Sequence, residues 1–143
     1  MARPARRRNS RPPLAATALV LDSDGLSKAA AGDPRAVAWI ARARELRLPL
    51  VVNAVTLTET IRGVGRDARV HLLTKNARID PVDAELAAEA GRLLGGTKRS
   101  DTVDALVATT AIRLGRPAII LTSDLQDLAV LTEGHPHIQV VAV

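Results

Sequence analysis

Three continuous apolar runs mark the chain: Ala18-Leu19-Val20-Leu21, Leu50-Val51-Val52 and Ala118-Ile119-Ile120-Leu121. A fourth, Ile138-Gln139-Val140-Val141, carries one polar interruption. Apolar runs this short, without polar alternation, are expected of strands buried on both faces of a parallel sheet. Helical signals fill the intervals. The pattern predicts a helix over 23–31 stopped by Gly32, and another opened by Asp33 as N-cap with Pro34 in its first position. In that second helix Val37, Trp39, Ile40 and Ala43 are expected inside, with Arg42, Arg44 and Arg47 outside. Further helices are expected over 56–61, closing at Gly63, and over 66–74. Pro81 should open a helix that turns Leu86, Ala90, Leu93 and Leu94 inward and ends at Gly95-Gly96. Ser100 should cap a helix over 101–114, with Gly115 beyond its end, and Ser123 a short one reaching Leu131. Strands alternating with helices indicate an α/β fold, a parallel sheet flanked by helices on both faces. There is no internal repeat. Residues 17–143 read as one domain, and 1–16 as a separate basic segment.

Charge sharpens that division. The chain of 143 residues holds 20 Lys+Arg and 15 Asp+Glu, a formal +5. Arg3, Arg6, Arg7, Arg8 and Arg11 carry that whole excess, so residues 12–143 are neutral overall. With Pro4, Pro12 and Pro13 among them, residues 1–16 are expected to be flexible rather than helical. They suit phosphate backbones or acidic partners, or serve as a solvated leader. The apolar stretch 14–21 is short, ends at Asp22 and lacks a cleavage site, which argues against a secretory signal. No stretch approaches the ~20 apolar residues of a membrane span, so a cytoplasmic location without membrane contact is expected. The absence of cysteine excludes a disulfide framework, a thiolate zinc site and a Cys nucleophile. With Trp39 the only aromatic side chain, a nucleic-acid surface of stacking rings is excluded as well.

The acids fall where chemistry is expected. Parallel sheets bind ligands outside the carboxyl ends of their strands. Asp22 directly follows the first run and Asp124 nearly follows the third, so both enter one crevice if those strands are neighbours. Glu59 lies in the helix after the second strand, and Asp101 and Asp104 share a helix face three residues apart. Each acid also has an ordinary structural role open to it: a first-turn charge for Asp101 and Asp124, or an i,i+3 pair with Arg62 for Glu59. Asp22 is different, because a carboxylate after a buried strand must be paired, hydrogen-bonded or bound to a cation. Carboxylates converging within a few Å need a compensating charge, and Mg²⁺ or Mn²⁺, taking oxygen ligands, supplies it. An ion so held can activate water and offset charge on a phosphate ester during cleavage.

These residues resemble the PIN-domain ribonucleases, in particular the VapC-type toxins of bacterial toxin–antitoxin pairs, over roughly residues 17–142. Leu19-Val20-Leu21-Asp22-Ser23 is similar to that family's first motif, and Thr58-Glu59-Thr60 with Arg62-Gly63 to its second. Asp104-Ala105-Leu106-Val107-Ala108 is similar to its third and most specific motif, and Leu121-Thr122-Ser123-Asp124 to its fourth. The resemblance implies a PIN-like α/β/α sandwich. It also implies a catalytic metal site of Asp22, Glu59, Asp104 and Asp124, with Asp101 as a further ligand close by. The activity implied is that of a Mg²⁺-dependent endoribonuclease, with RNA as substrate and a cognate antitoxin protein as partner. Arg62, Lys98 and Arg99 are candidates for holding RNA phosphates, and a homodimer is left open.

Two departures from the family pattern are Asp24, an extra acid, and Leu128, where an aromatic often stands. Asp24 brings in a second resemblance. Leu21-Asp22-Ser23-Asp24-Gly25 is similar to the nucleophile loop of haloacid-dehalogenase phosphatases, in which the first Asp attacks phosphorus. That family needs Ser or Thr after the second strand, where this chain has Asn53-Ala54, and it leaves Glu59 and Asp104 without a role. A third reading, a catalytically silent PIN-like module that binds RNA or protein, sits poorly with acids at all four positions.

Overall fold

Along the first strand, Leu19 and Leu21 enter one apolar cluster while Ala18 and Val20 enter another, and all four are buried. A strand used on both faces requires a helical layer on each side. The computed structural model, which describes residues 16–97 and 101–143, has those layers. The element order is β1 (Ala18–Leu21), α1 (Ser23–Ala30), α2 (Pro34–Glu45), β2 (Leu50–Asn53), α3 (Ala54–Thr60), α4 (Asp67–Thr74) and β3 (Arg78–Asp80). It continues with α5 (Ala84–Thr97), α6 (Thr102–Arg113), β4 (Ala118–Thr122), α7 (Leu125–Leu131) and β5 (Ile138–Ala142). The five strands form one parallel sheet in the order β3-β2-β1-β4-β5. Residues 1–15 and 98–100 lie outside the described residues, and with them the basic segment, the Ser100 cap, Lys98 and Arg99.

The two layers are chemically alike. Leu26 and Ala29 of α1, Ala36, Ile40 and Ala43 of α2, and Val70 of α4 cover one face over Leu19, Leu21, Val52, Ile119 and Leu121. Val107, Ala108 and Ala111 of α6 and Leu128 and Leu131 of α7 cover the other, over Val20, Val51 and Ile120. Leu86 and Ala90 of α5 pack on Ala105 and Leu106 of α6. In a chain nearly without aromatics, small and branched side chains do this packing. Among the described residues no helix is long and apolar enough to cross a membrane.

Several expectations need correction. The inner stripe of α2 is Ala36, Ile40 and Ala43, while Val37 is exposed and Trp39 only half-buried. The helix after Pro81 starts later, at Ala84, with the Asp83 carboxylate accepting the Leu86 N–H, and it runs through Gly95-Gly96 to Thr97. Asp101 caps α6, and Asp124 rather than Ser123 caps α7. An edge strand, β3, stands where no apolar run announced one; two of its three residues are exposed.

From β1 the chain steps outward to β2 and β3, then crosses to β4 on the other side of β1 and steps outward to β5. The order therefore reverses between β1 and β4, which opens a crevice at their carboxyl ends. Leu21 is in register with Leu121 on the neighbouring strand, so Asp22 and residues 123–124 leave the sheet close to one another. Above this gap α1 lies so close to β4 that a Cβ on Gly25 would stand 2.5 Å from the Leu121 carbonyl oxygen. Backbone on both sides cannot yield to such a contact. Gly25→Ala should lower the unfolding free energy by about 1–3 kcal/mol in urea titration, the usual cost of overpacking. Gly91→Ala, in open space within α5, should raise it by about 0.5–1 kcal/mol. Equal effects from the two substitutions would contradict this packing.

Candidate active site

Asp22 ends β1 as the N-cap of α1, its Oδ1 accepting the Gly25 N–H at 2.7 Å, and it is only 4% exposed. Burial pushes its carboxyl up to about 6 from an ordinary 3.8. The Thr122 hydroxyl and the Gly25 N–H oppose that rise, and the Asp24 charge adds to it. Asp104, in the first turn of α6, is raised further, to about 7, by burial and then by the charges of Asp101, Asp22, Asp124 and Asp127. Like charges so close to one another favour the protonated form of the carboxyl at their centre. Carboxylate oxygens of Asp104, Asp124 and Asp127 lie within 4.8 Å of one another.

Helix caps orient the acids. The Asp101 carboxylate accepts the Asp104 N–H at 2.9 Å, and that of Asp124 accepts the Asp127 N–H at 3.4 Å. Buried Asn53, at the end of β2, aligns the helix that carries Asp104. Its Oδ1 accepts the Val55 N–H to cap α3, and its amide donates to the Thr110 hydroxyl of α6 at 2.8 Å. Two further hydrogen bonds tie the loops of the crevice together. The Ser23 hydroxyl donates to Glu59 at 2.9 Å, joining the loop after β1 to α3. The Ser123 hydroxyl donates to Asp24, joining the loop after β4 to the first turn of α1.

The expected residues thus divide. Asp104 and Asp124 are brought together, with Asp22 and Asp101 close enough to raise the pKa of Asp104. Glu59 stands outside the trio of close oxygens, exposed and held by Ser23. It is not paired with Arg62, whose guanidinium instead donates to the Thr58 and Ile61 carbonyls. Asp127 completes the trio but carries no assignment in the PIN-like reading of the sequence. Its position three residues after Asp124 on one helix is the signal that finds it, by the spacing already used for Asp101 and Asp104. Asn53 and Thr110 left no such signal, because each looks like an ordinary core polar residue until β2 and α6 are adjacent.

The donor set is oxygen only, with no sulfur or imidazole in the trio, and it concentrates negative charge in one place. That is the environment a hard divalent cation fits.

Comparison with known proteins agrees with this architecture. No curated protein sequence matches the chain. Among solved structures, a chain of VapBC2 from Rickettsia felis, bound to a DNA fragment from the promoter, superposes with a TM-score of 0.67 at 12% identity, covering 87% of this chain and 98% of that one. A chain of a toxin–antitoxin complex from Klebsiella pneumoniae gives 0.64 at 18%, covering 85% and 95%. FitAcB from Neisseria gonorrhoeae gives 0.60 at 19%, covering 85% and 95%. At such identities the likeness is one of fold. The PIN domain family model matches residues 19–131, from the first strand through α7 and so through every acid of the crevice, and the chain belongs to the PIN-domain family.

Proposed function

We propose that this PIN-domain protein is the toxin of a toxin–antitoxin pair and acts as a Mg²⁺-dependent endoribonuclease that hydrolyses RNA phosphodiester bonds. The observation that carries this reading is the convergence of Asp104, Asp124 and Asp127 at the strand-order reversal, beside buried Asp22. Asp22, Asp104 and Asp124 would hold Mg²⁺, or Mn²⁺ in its place, with Asp127 added to the set. Glu59 and Asp101 would lie at the margin, where a cation with its waters comes within reach. When bound, the ion supplies an electrophile for the phosphate oxygens and offsets the charge that builds on them.

The chain's own residues do the rest. The Gly25 N–H fixes one oxygen of Asp22. The Asp101 cap aligns the first turn of α6, from which the Asp104 side chain projects. Asp104 keeps its proton to about pH 7, so the crevice gives up protons as a cation enters. Arg62, Lys98 and Arg99 are proposed contacts for RNA phosphates. The solved relatives include toxin–antitoxin complexes, which supports a cognate antitoxin as partner of this chain. Co-expressed with its cognate antitoxin, the chain should purify as a complex without ribonuclease activity.

Two measurements test the chemistry. Purified protein should cut RNA with Mg²⁺ and not with EDTA. Asp22→Asn, Asp104→Asn and Asp124→Asn should each lower the rate about a hundredfold or more, as loss of one group stabilising developing charge does. Wild-type rates in the Asp22 and Asp104 variants would overturn the assignment. Acid-labile phosphate trapped on Asp22, with turnover of small monoesters, would establish the phosphatase-like reading instead. RNA binding without cutting would establish the silent module.

The second measurement is independent of activity. Asp22 and Asp104 titrate higher in the folded protein than the ordinary 3.8. Without a cation, the folded state therefore binds more protons than the unfolded chain between about pH 4 and 7. Stability contributed by these groups falls as pH rises through that window. Mg²⁺ should raise Tm more at pH 8 than at pH 5, and Asp104→Asn should remove most of that difference. An equal rise at both pH values would refute a carboxylate site for the ion.

A further inference from the structure

A cleft of about 560 Å³ opens between α1, α3 and α4, and Glu59 stands in its wall. Arg62, Arg66 and Arg69 line it together. All three are exposed, and the guanidinium groups of Arg66 and Arg69 enter no ion pair or hydrogen bond among the described residues. Arg62 donates only to the backbone carbonyls of Thr58 and Ile61, so its charge is also unmatched by an acid. The opposite wall, on α1, presents small side chains such as Ser27 and Ala30, which lets a polymer backbone approach closely.

The cationic wall is rigidly built. Asp67, only 5% exposed, accepts hydrogen bonds from three consecutive backbone N–H groups, those of Arg62, Gly63 and Val64, at 2.6–3.2 Å. Burial by itself would raise this carboxyl. The three N–H groups and nearby His71 carry it below the usual range instead. Its carboxylate is engaged by the backbone of the loop and forms no ion pair with the guanidinium of Arg62, Arg66 or Arg69 among the described residues. Gly63, at φ +76, supplies the left-handed residue that wraps the loop around the carboxylate.

We infer that this cleft binds the backbone phosphates of single-stranded RNA on one side of the cut site, with Arg66 and Arg69 as the principal contacts beside Arg62. The inference rests on the ribonuclease reading and adds to it a path for the strand. Its support is charge complementarity and continuity. A row of unmatched cations suits a polymer with one negative charge per nucleotide, and the cleft reaches Glu59, which accepts a hydrogen bond from Ser23, the residue after Asp22. The acids of the crevice repel RNA, so affinity for the strand has to come from a cationic surface beside them.

The test uses the full chain carrying Asp104→Asn, so that RNA is bound and not cut. Anisotropy of a labelled random-sequence single-stranded RNA, with Mg²⁺ present, is followed across salt concentrations. Arg66→Ala and Arg69→Ala should each weaken binding several-fold and flatten the log–log salt dependence by about 0.7. Lysine at either position should restore most of the slope. In the otherwise wild-type chain the alanine variants should raise KM and leave kcat and Tm unchanged. Unaltered affinity and slope, with RNA still cut by the wild-type chain, would overturn the cleft alone. A polyglutamate probe whose binding depends on these arginines while RNA binding does not would overturn it in favour of an acidic protein segment. A wild-type chain that neither binds nor cuts RNA would overturn both readings.

Discussion

A carboxylate buried at the end of a central strand is unfavourable unless its charge is answered, and the structure around Asp22 is organised by that constraint. The Gly25 N–H answers part of it, and for α1 to bring that group so near the sheet, residue 25 must lack a side chain. Burial still leaves the carboxyl at about 6. The reversal of strand order then sets the loop after β4 beside it, with Asp124 and Asp127, and α6 adds Asp104. Each addition brings a further negative charge to the same place, and the charges of Asp101, Asp22, Asp124 and Asp127 all raise the carboxyl of Asp104.

Three of these acids are also helix N-caps: Asp22 on α1, Asp101 on α6 and Asp124 on α7. Capping and ligand binding are compatible because a carboxylate has two oxygens. One accepts the backbone N–H and fixes the rotamer, while the other remains available. A structural role as a cap therefore does not exclude the proposed role as a ligand for the same acid. The cap is the means by which the fold aims the group. Ser23 and Ser123 extend the same economy sideways, fastening Glu59 and Asp24 so that three loops share one rim.

This explains which parts were legible beforehand. Strands buried on both faces, β1, β2 and β4, declare themselves as apolar runs, and an acid directly after such a run is conspicuous. The three-residue β3 is not, because an exposed edge strand of Arg78, Ile79 and Asp80 buries too little to need an apolar pattern. Local competition also stayed hidden. Glu59 and Arg62 have the spacing of an ion pair, yet Glu59 takes the Ser23 hydroxyl and Arg62 caps the end of α3 with its guanidinium. Those preferences depend on α1 lying beside α3, a contact that the order of residues does not encode locally. Nor does the run Leu21 to Gly25 reveal that Asp24 is held by Ser123, at the end of the neighbouring strand β4.

Charge in this domain is separated rather than scarce. Residues 12–143 sum to zero, but the acids gather over β1 and β4 while three arginines line the neighbouring cleft. At physiological ionic strength screening acts over about 8 Å, so each region presents its own field to a ligand. A polyanion meets attraction in the cleft and repulsion in the crevice until a cation neutralises the latter. A cation meets the reverse. On the proposed reading the two ligands would have separate places to bind, with Glu59 lining the cleft on the side of Ser23 and Asp22. Such an arrangement needs a boundary that keeps arginine and carboxylate from collapsing onto one another. Asp67 holding the arginine loop and Ser23 holding Glu59 provide it, both by hydrogen bonds that leave the opposite charges apart.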